Sequence, residues 1–224
     1  MKCNLYGHLF VDRIISDFKE KTTLGGIANV WSGLKQLNQN LTIGLKPTSI
    51  GEAIILVDKE NNQRVSKGIH NLKTCLPTVE KADWNHIAYI NQIEDLSFID
   101  KIDKGIISAD LTKEKPENVL DYLKIIDYLF ISKEDLFMDV EDLGKKVKGW
   151  LIIHDPQGSV YTDGKKIFDY KLPDDLFLTN VNVLGAGDFF ASGFINERLT
   201  GSDEQTSIKK AHENTTKLLN RNLI

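Results

Sequence analysis

Apolar and polar positions alternate along this chain on two periods, and the order of those periods predicts its architecture. From His86 onward, short apolar runs alternate with stretches whose apolar residues recur at helical spacing. H-I-A-Y-I reads as a strand and is followed by a helix near Leu96 to Ile102. Then come strand Gly105 to Ala109, helix Pro116 to Ile126, strand Tyr128 to Ile131, helix Lys133 to Lys148 and strand Trp150 to His154. Pro116 suits a first helical position, where its missing N–H costs nothing. Upstream, Lys2 to Ile15 reads as a strand interrupted at Gly7. Leu24 to Val30 feeds a helix carrying Trp31, Leu34 and Leu37, and Leu41 to Leu56 with Arg64 to His70 reads as a hairpin or small sheet. Gly158 to Pro173 reads as a hairpin turning at Asp163-Gly164. A helix from Phe189 to Leu199 stops at Gly201, and a last helix runs from about Asp203 to Leu219. Strands alternating with helices need crossover connections, so the predicted class is α/β, a mostly parallel sheet sandwiched by helices. Ligands of such sheets collect at the carboxyl ends of the strands, where Asp12, Asp110, Ser132, Asp155 and the Gly185 loop all fall.

Composition narrows the function. A chain of 224 residues is long enough for one domain with a real core, and its formal charge of −4 is spread along the sequence. No basic block suggests nucleic acid, and no apolar run approaches a membrane span. The N-terminus loses its apolar character too early for a signal peptide, so an intracellular, cytoplasmic enzyme is expected. Cys3 and Cys75 have neither disulfide-framework nor zinc-site spacing, and the five histidines show no metal-ligand pairing.

The chemistry concentrates in N-V-L-G-A-G-D-F-F-A-S-G-F, from Asn182 to Phe194. Gly185, Ala186 and Gly187 leave backbone N–H groups uncovered at a predicted helix start, where the helix dipole favours an anion. Asp188 places a carboxylate beside that anion, which opposes binding but serves proton abstraction from an attacking hydroxyl. The segment read alone is equally served by a tight turn in which Asp188 only favours the first helical turn. Phe190 occupies the third small-residue place of a dinucleotide fingerprint, and Gly158 to Lys166 lacks P-loop spacing.

This segment resembles the C-terminal signature of the ribokinase-like (pfkB) carbohydrate kinases, D-T-x-G-A-G-D before an aromatic-rich helix. Gly25, Gly26 and Asn29 in L-G-G-I-A-N-V resemble the family's N-terminal G-G-x-x-x-N signature with one residue fewer before the Asn, and Gly7 with Asp12 stand in its G-x-x-x-x-D spacing. The resemblance implies a ribokinase-like fold over residues 1–224, with a small β lid from about 41–70. It implies that Asp188 is the catalytic base and that the Gly185, Ala186 and Gly187 amides hold the transferring phosphoryl group. Asp12, Gly25, Gly26 and Asn29 would bind the sugar. Ser132, Asp155, Gly158 and Asn182 would meet the nucleotide, and Asp135 would support magnesium. Taken alone, Asp12 reads as a solvated turn residue.

The sequence departs from the family pattern at four places. Asn182-Val183 replaces Asp-Thr, weakening the case for a monovalent-cation site. Ser132-x-x-Asp135 replaces N-x-x-E. Ile153-His154-Asp155 replaces T-x-G and brings a carboxylate toward phosphates. A strand and helix usually found before the lid are missing, since Pro47 follows closely on the first helix. The implied activity is ATP- and Mg2+-dependent transfer of a terminal phosphoryl group to a hydroxyl of a sugar or sugar derivative. A member that binds sugar or nucleotide without turnover is the alternative, and an unrelated α/β protein using the anion site for regulation is a third reading. G-G-I-A-N-V is similar to the form in kinases of heptose phosphates, and Arg64 or Lys67 would meet a substrate phosphate. An apolar lid face such as Ile54 and Leu56 favours a homodimer.

Overall fold

A computed structural model describes residues 1–16, 19–58, 63–176 and 185–221, with backbone alone at 57–58, 63–70 and 221. The strands are β1 (Lys2–Ser16), β2 (Lys19–Gly26), β3 (Thr42–Asp58), β4 (Gln63–Thr74), β5 (Trp84–Ile87), β6 (Ile106–Leu111), β7 (Tyr128–Ser132), β8 (Trp150–Asp155), β9 (Gly158–Thr162) and β10 (Ile167–Lys171). The α-helices are α1 (Ile27–Leu37), α2 (Val140–Gly144), α3 (Ala186–Leu199) and α4 (Glu204–Arg221). They form the α/β sandwich expected, around one sheet in the order β10-β9-β8-β7-β6-β5-β1-β3-β4, with β2 paired to β1. The centre from β8 to β3 is parallel, and β2, β4, β9 and β10 are antiparallel additions.

Each face of the sheet buries a separate core. Cys3, Leu5, Trp84, Phe130 and Ile152 pack against α1, α3 and α4. Tyr6, Ile87, Ile107, Leu129 and Ile153 point the other way, onto Phe98, Val119 and Leu123. This follows from the alternation of side chains along each strand, and because both faces are covered the central strands read as apolar runs. Helix α3 is buried on all sides from Asp188 to Ile195. Phe194 meets Tyr128 and Phe130 edge-on, with ring centroids 5.0 and 5.2 Å apart, so the aromatic residues of the motif seat the helix on the sheet.

The second face differs from the sequence expectation. The stretches read as helices at 96–102, 116–126 and 133–148 are mostly 3₁₀ turns: Ile99–Lys101, Pro116–Ile125 and Lys133–Asp135, with only α2 as an α-helix. The longest run is split by Asp139, whose carboxylate accepts from the Glu141 and Asp142 amides at 2.8 and 3.4 Å and so starts a new helix. Lys115, at φ 48°, turns the chain left-handed just before Pro116.

Between α1 and β3 lie only residues 38–41, so β3 enters the sheet without an intervening helix. It runs beside β1 from Lys2↔Thr42 to Ile15↔Leu56, with a single register shift where Gly7↔Pro47 gives way to His8↔Ser49. Pro47 is tolerated inside the strand because it sits at this bulge. Beyond Tyr6, β1 no longer pairs with β5 but with β2, so β2, β1, β3 and β4 continue as a ribbon past the sheet's carboxyl edge. The ribbon includes the described residues of the 41–70 stretch together with β2 and β1 from Leu9 onward. None of the described helices is long and apolar enough to cross a membrane.

Candidate active site

The first glycine pair makes a close approach that no other residue permits. A Cβ on Gly25 would fall 1.8 Å from Asp12 Oδ2, and one on Gly26 would fall 2.1 Å from the His8 carbonyl oxygen. Gly26 also caps α1 at φ 63°, a left-handed turn that glycine accepts without strain. Asp12 is therefore pressed over the start of α1 and is only 6 % exposed, not the solvated turn residue that it resembles in isolation. Burial lifts its carboxyl to about 6, and no side-chain donor among the described residues reaches it. Such a carboxylate gains most from a ligand that brings hydrogen-bond donors.

Small residues then bring α1 and α3 together. A Cβ on Gly33 would lie 2.5 Å from Ser192 Oγ, and that hydroxyl is 3.0 Å from the Val30 carbonyl and 2.7 Å from the Asp188 carbonyl. Four residues earlier on each helix, about one turn, Asn29 meets Asp188. Asn29 Nδ2 donates to Asp188 Oδ2 at 2.9 Å, and the Tyr89 hydroxyl donates to Oδ1 at 3.0 Å. Asp188 is 2 % exposed. Burial, reinforced by the negative charge of Asp110, raises its carboxyl to about 7, with Asn29, Tyr89 and His86 pulling the other way. Tyr89 is itself held left-handed at φ 52°.

Gly185 caps α3 at φ 79°, and the Ala186 and Gly187 amides occupy the first turn, where no earlier helical carbonyl accepts them. His154, at the end of β8, stacks on Phe190 with centroids 4.7 Å apart. A Cβ on Gly187 would be 3.5 Å from its Cε1, so the imidazole lines the same amide turn. Burial keeps it below the ordinary histidine range, against the pull of Asp110, Asp155 and Glu134. Asp110, near the end of β6, lies 3.2 Å from His86 Nε2, which is not aimed along a hydrogen bond, so the contact is electrostatic. His86 Nδ1 and Trp84 Nε1 both meet Ser108 Oγ, at 2.9 and 2.7 Å.

The structure therefore gathers Asp12, Gly25, Gly26, Asn29, Gly185, Ala186, Gly187 and Asp188 around the junction of α1, α3 and β1. Ser132 ends β7 beside His154 of β8. Asp135 lies in the following 3₁₀ turn; burial raises its carboxyl, opposed by a hydrogen bond from the Lys113 backbone. Asp155 pairs with Lys133 Nζ at 3.0 Å. Burial works against the Asp155 charge, but Lys133 and the Gln157 and Gly158 amides outweigh it and hold the carboxyl below its usual range. The carboxylate expected to repel phosphates thus carries its own counter-charge. Gly158 is packed between strands, where a Cβ would lie 1.9 Å from the Tyr170 carbonyl oxygen. Asn182 and Val183 lie outside the described residues, and only the backbone is described at Arg64 and Lys67. Tyr89, Lys133 and His154 are the participants that sequence patterns did not single out.

No protein-family model matches the sequence, and no curated protein does. Solved structures do. An E. coli putative ribokinase II, in complex with ATP and Mg2+, superposes with a TM-score of 0.69 at 15% identity over 97% of this chain and 92% of its own. A fructokinase from Vibrio cholerae O395, bound to fructose, ADP and a calcium ion, gives 0.66 at 15% identity over 96% and 90%. The nucleoside kinase of Methanocaldococcus jannaschii, an archaeal member of the ribokinase family, gives 0.64 at 16% identity over 98% and 91%.

Proposed function

The fold is ribokinase-like, and from that premise we propose that the protein is a phosphotransferase moving the terminal phosphoryl group of ATP to a hydroxyl of a sugar or sugar derivative. One observation carries the reading. A buried carboxylate, raised to about 7, sits in the first turn of α3 beside amides without helical acceptors, and is held by a residue of the first glycine motif.

In this reading Asp188 accepts the proton of the attacking hydroxyl. A carboxylate poised near neutral pH is a stronger base than an ordinary one while still being ionised in a useful fraction of molecules. The Gly185, Ala186 and Gly187 amides stabilise charge on the phosphoryl oxygens, and need no reorganisation because the helix fixes them. Asp12 and Asn29 orient the acceptor, with Gly25 and Gly26 letting it approach the backbone. His154 borders the phosphoryl position. Ser132, Asp155, Gly158 and Asn182 are assigned to the nucleotide side, where Lys133 balances Asp155.

Among the described residues no three His, Cys, Asp or Glu side chains converge as a metal cage. That suits magnesium, which keeps several waters and is carried largely by nucleotide phosphates, so Asp135 would reach it through water. When bound, the ion neutralises charge on the transferring phosphates. Residues 1–224 are read as one domain, with 41–70 in the lid. Exposed Ile50 and Leu56 on the ribbon support a homodimer through it. A donor drawn from the free nucleotide pool makes the enzyme cytoplasmic.

A second reading, binding without turnover, is favoured by the closed state of Asp188, whose two oxygens are both occupied by Asn29 and Tyr89. Phosphoryl transfer from labelled ATP across a panel of sugars and nucleosides separates the two. The first expects a labelled product that Asp188→Asn reduces by at least roughly 100-fold. Binding of sugar or nucleotide with no product from any acceptor establishes the second.

A further inference from the structure

A cavity of about 290 Å³ opens at the base of the ribbon, between the middle of β1 and β3, the end of β4 and the loops that follow β5 and β6. It is the size of a small polar ligand. Its floor includes His8, Thr48, Ser49 and Asn91, all nine-tenths or more buried. Among the described lining residues its rim carries Glu94, Asp95, Glu114 and Lys115, two net negative charges.

The floor adds no positive charge. His8 Nε2 is 3.2 Å from the Gln92 carbonyl oxygen, which can only accept, so Nε2 carries the proton. Burial keeps the ring neutral, and Nδ1 must therefore accept from the Ser49 hydroxyl. The lone pairs of Ser49 remain as acceptors. Among the described residues the Thr48 hydroxyl has no hydrogen-bond partner. Asn91 is spent internally. Its amide nitrogen donates to the Thr112 carbonyl and hydroxyl, at 3.1 and 3.0 Å, and to the Glu114 carbonyl, so it ties the β5 end to the loop that carries one rim carboxylate.

The cavity also shares its strands with the candidate active site. His8 precedes Asp12 on β1, and Asn91 follows Tyr89, whose hydroxyl touches Asp188. Among the described residues the rim carboxylates do not converge in a group that could hold a metal. A spread of negative charge over an acceptor-bearing floor suits a hydrogen-bond-donating organic cation and disfavours an anion.

We propose that this cavity selects an ammonium-bearing acceptor, an amino sugar or aminocyclitol, and rejects sugar phosphates. The proposal rests on the phosphotransferase reading only for the word acceptor; the cation preference of the cavity stands apart from it. It is an alternative to the substrate phosphate that the G-G-I-A-N-V resemblance implies.

The test is calorimetric titration of the full chain, without nucleotide, using glucosamine, galactosamine and 2-deoxystreptamine against glucose, galactose, myo-inositol and glucose 6-phosphate. The amines should bind about tenfold or more tightly than their neutral counterparts, and the phosphate more weakly still. The exposed-rim variant Glu94→Gln/Asp95→Asn/Glu114→Gln should erase the amine preference at an unchanged melting temperature. In the transfer assay it should raise KM for the amine with kcat preserved. Equal binding of amines and neutral sugars, preference for the phosphate, failure of every compound to bind, or an amine preference that survives the triple variant overturns the proposal. Efficient transfer to neutral sugars without amine preference leaves the phosphotransferase reading standing and removes this one. Amine binding that depends on the rim, with no transfer to any acceptor, does the reverse.

Discussion

Asn29 Nδ2 donates to Asp188 Oδ2 at 2.9 Å, joining residues 159 positions apart. The contact ties the first glycine motif to the G-A-G-D turn, and it opposes the burial that raises the Asp188 carboxyl. Burial raises Asp188, while Asn29 and Tyr89 restrain the rise. Removing either donor should therefore lift it further. Asn29→Ala and Tyr89→Phe are expected to move the acidic limb of the kcat/KM profile upward by a few tenths to one pH unit, because each removes one hydrogen bond to the charged form. A pH–rate series on both variants checks this, and an unmoved limb would mean that Asp188 is not the titrating base.

The same burial sets activity and stability against each other. With Asp188 as the proposed base, the transfer rate should fall about tenfold per pH unit below about 7. Stability runs oppositely. With the folded carboxyl above the ordinary 3.8, the native state holds the proton more tightly than the unfolded chain does. Its contribution is complete below about 3.8 and is lost as pH rises through about 7, on the order of 4 kcal/mol at most. Asp188→Asn should accordingly be inactive yet more stable than wild type at pH 8, with the gain gone at pH 4. Melting temperatures at the two pH values measure it.

Gly33 and Ser192 set the distance between α1 and α3. Gly33→Ala would force a Cβ to within 2.5 Å of Ser192 Oγ and should cost about 1–3 kcal/mol. Ser192→Ala removes the obstructing hydroxyl, so the double variant should recover part of the loss. A urea-denaturation cycle over the four proteins reads the coupling directly. Additive costs would show that the helices are spaced by something else.

Lys133 and Asp155 form a pair near the proposed nucleotide phosphates, 3.0 Å apart. Lys133→Met should leave Asp155 unbalanced and raise KM for ATP several-fold, while Asp155→Asn in the same protein should restore it. KM for the acceptor should not change. A loss that Asp155→Asn fails to reverse would point to a direct contact of Lys133 with the donor.

The glycine motifs and the alternation of strands with helices revealed the sheet class and the residues of the α1–α3 junction, because both are local properties of sequence. Tyr89 stayed hidden because its role depends on a left-handed turn after β5 that carries its hydroxyl to another helix. Asp12 read as solvated because its burial comes from Gly25, on a different strand. The 3₁₀ turns of the second face read as helices in sequence because Val119 and Leu123 keep helical spacing, and spacing alone does not distinguish a tightened winding. The His8–Ser49 floor of the cavity depends on the register between β1 and β3, which no short motif encodes.

That register has a mechanical meaning as well. A flap that swings needs a joint, but β1 and β3 pass from the body of the molecule into the canopy as one laced pair of rails. The stitch missed between them is at Thr48, in the cavity floor itself. That break is where the lacing of β1 to β3 yields, so whatever fills the cavity also braces the joint between body and canopy.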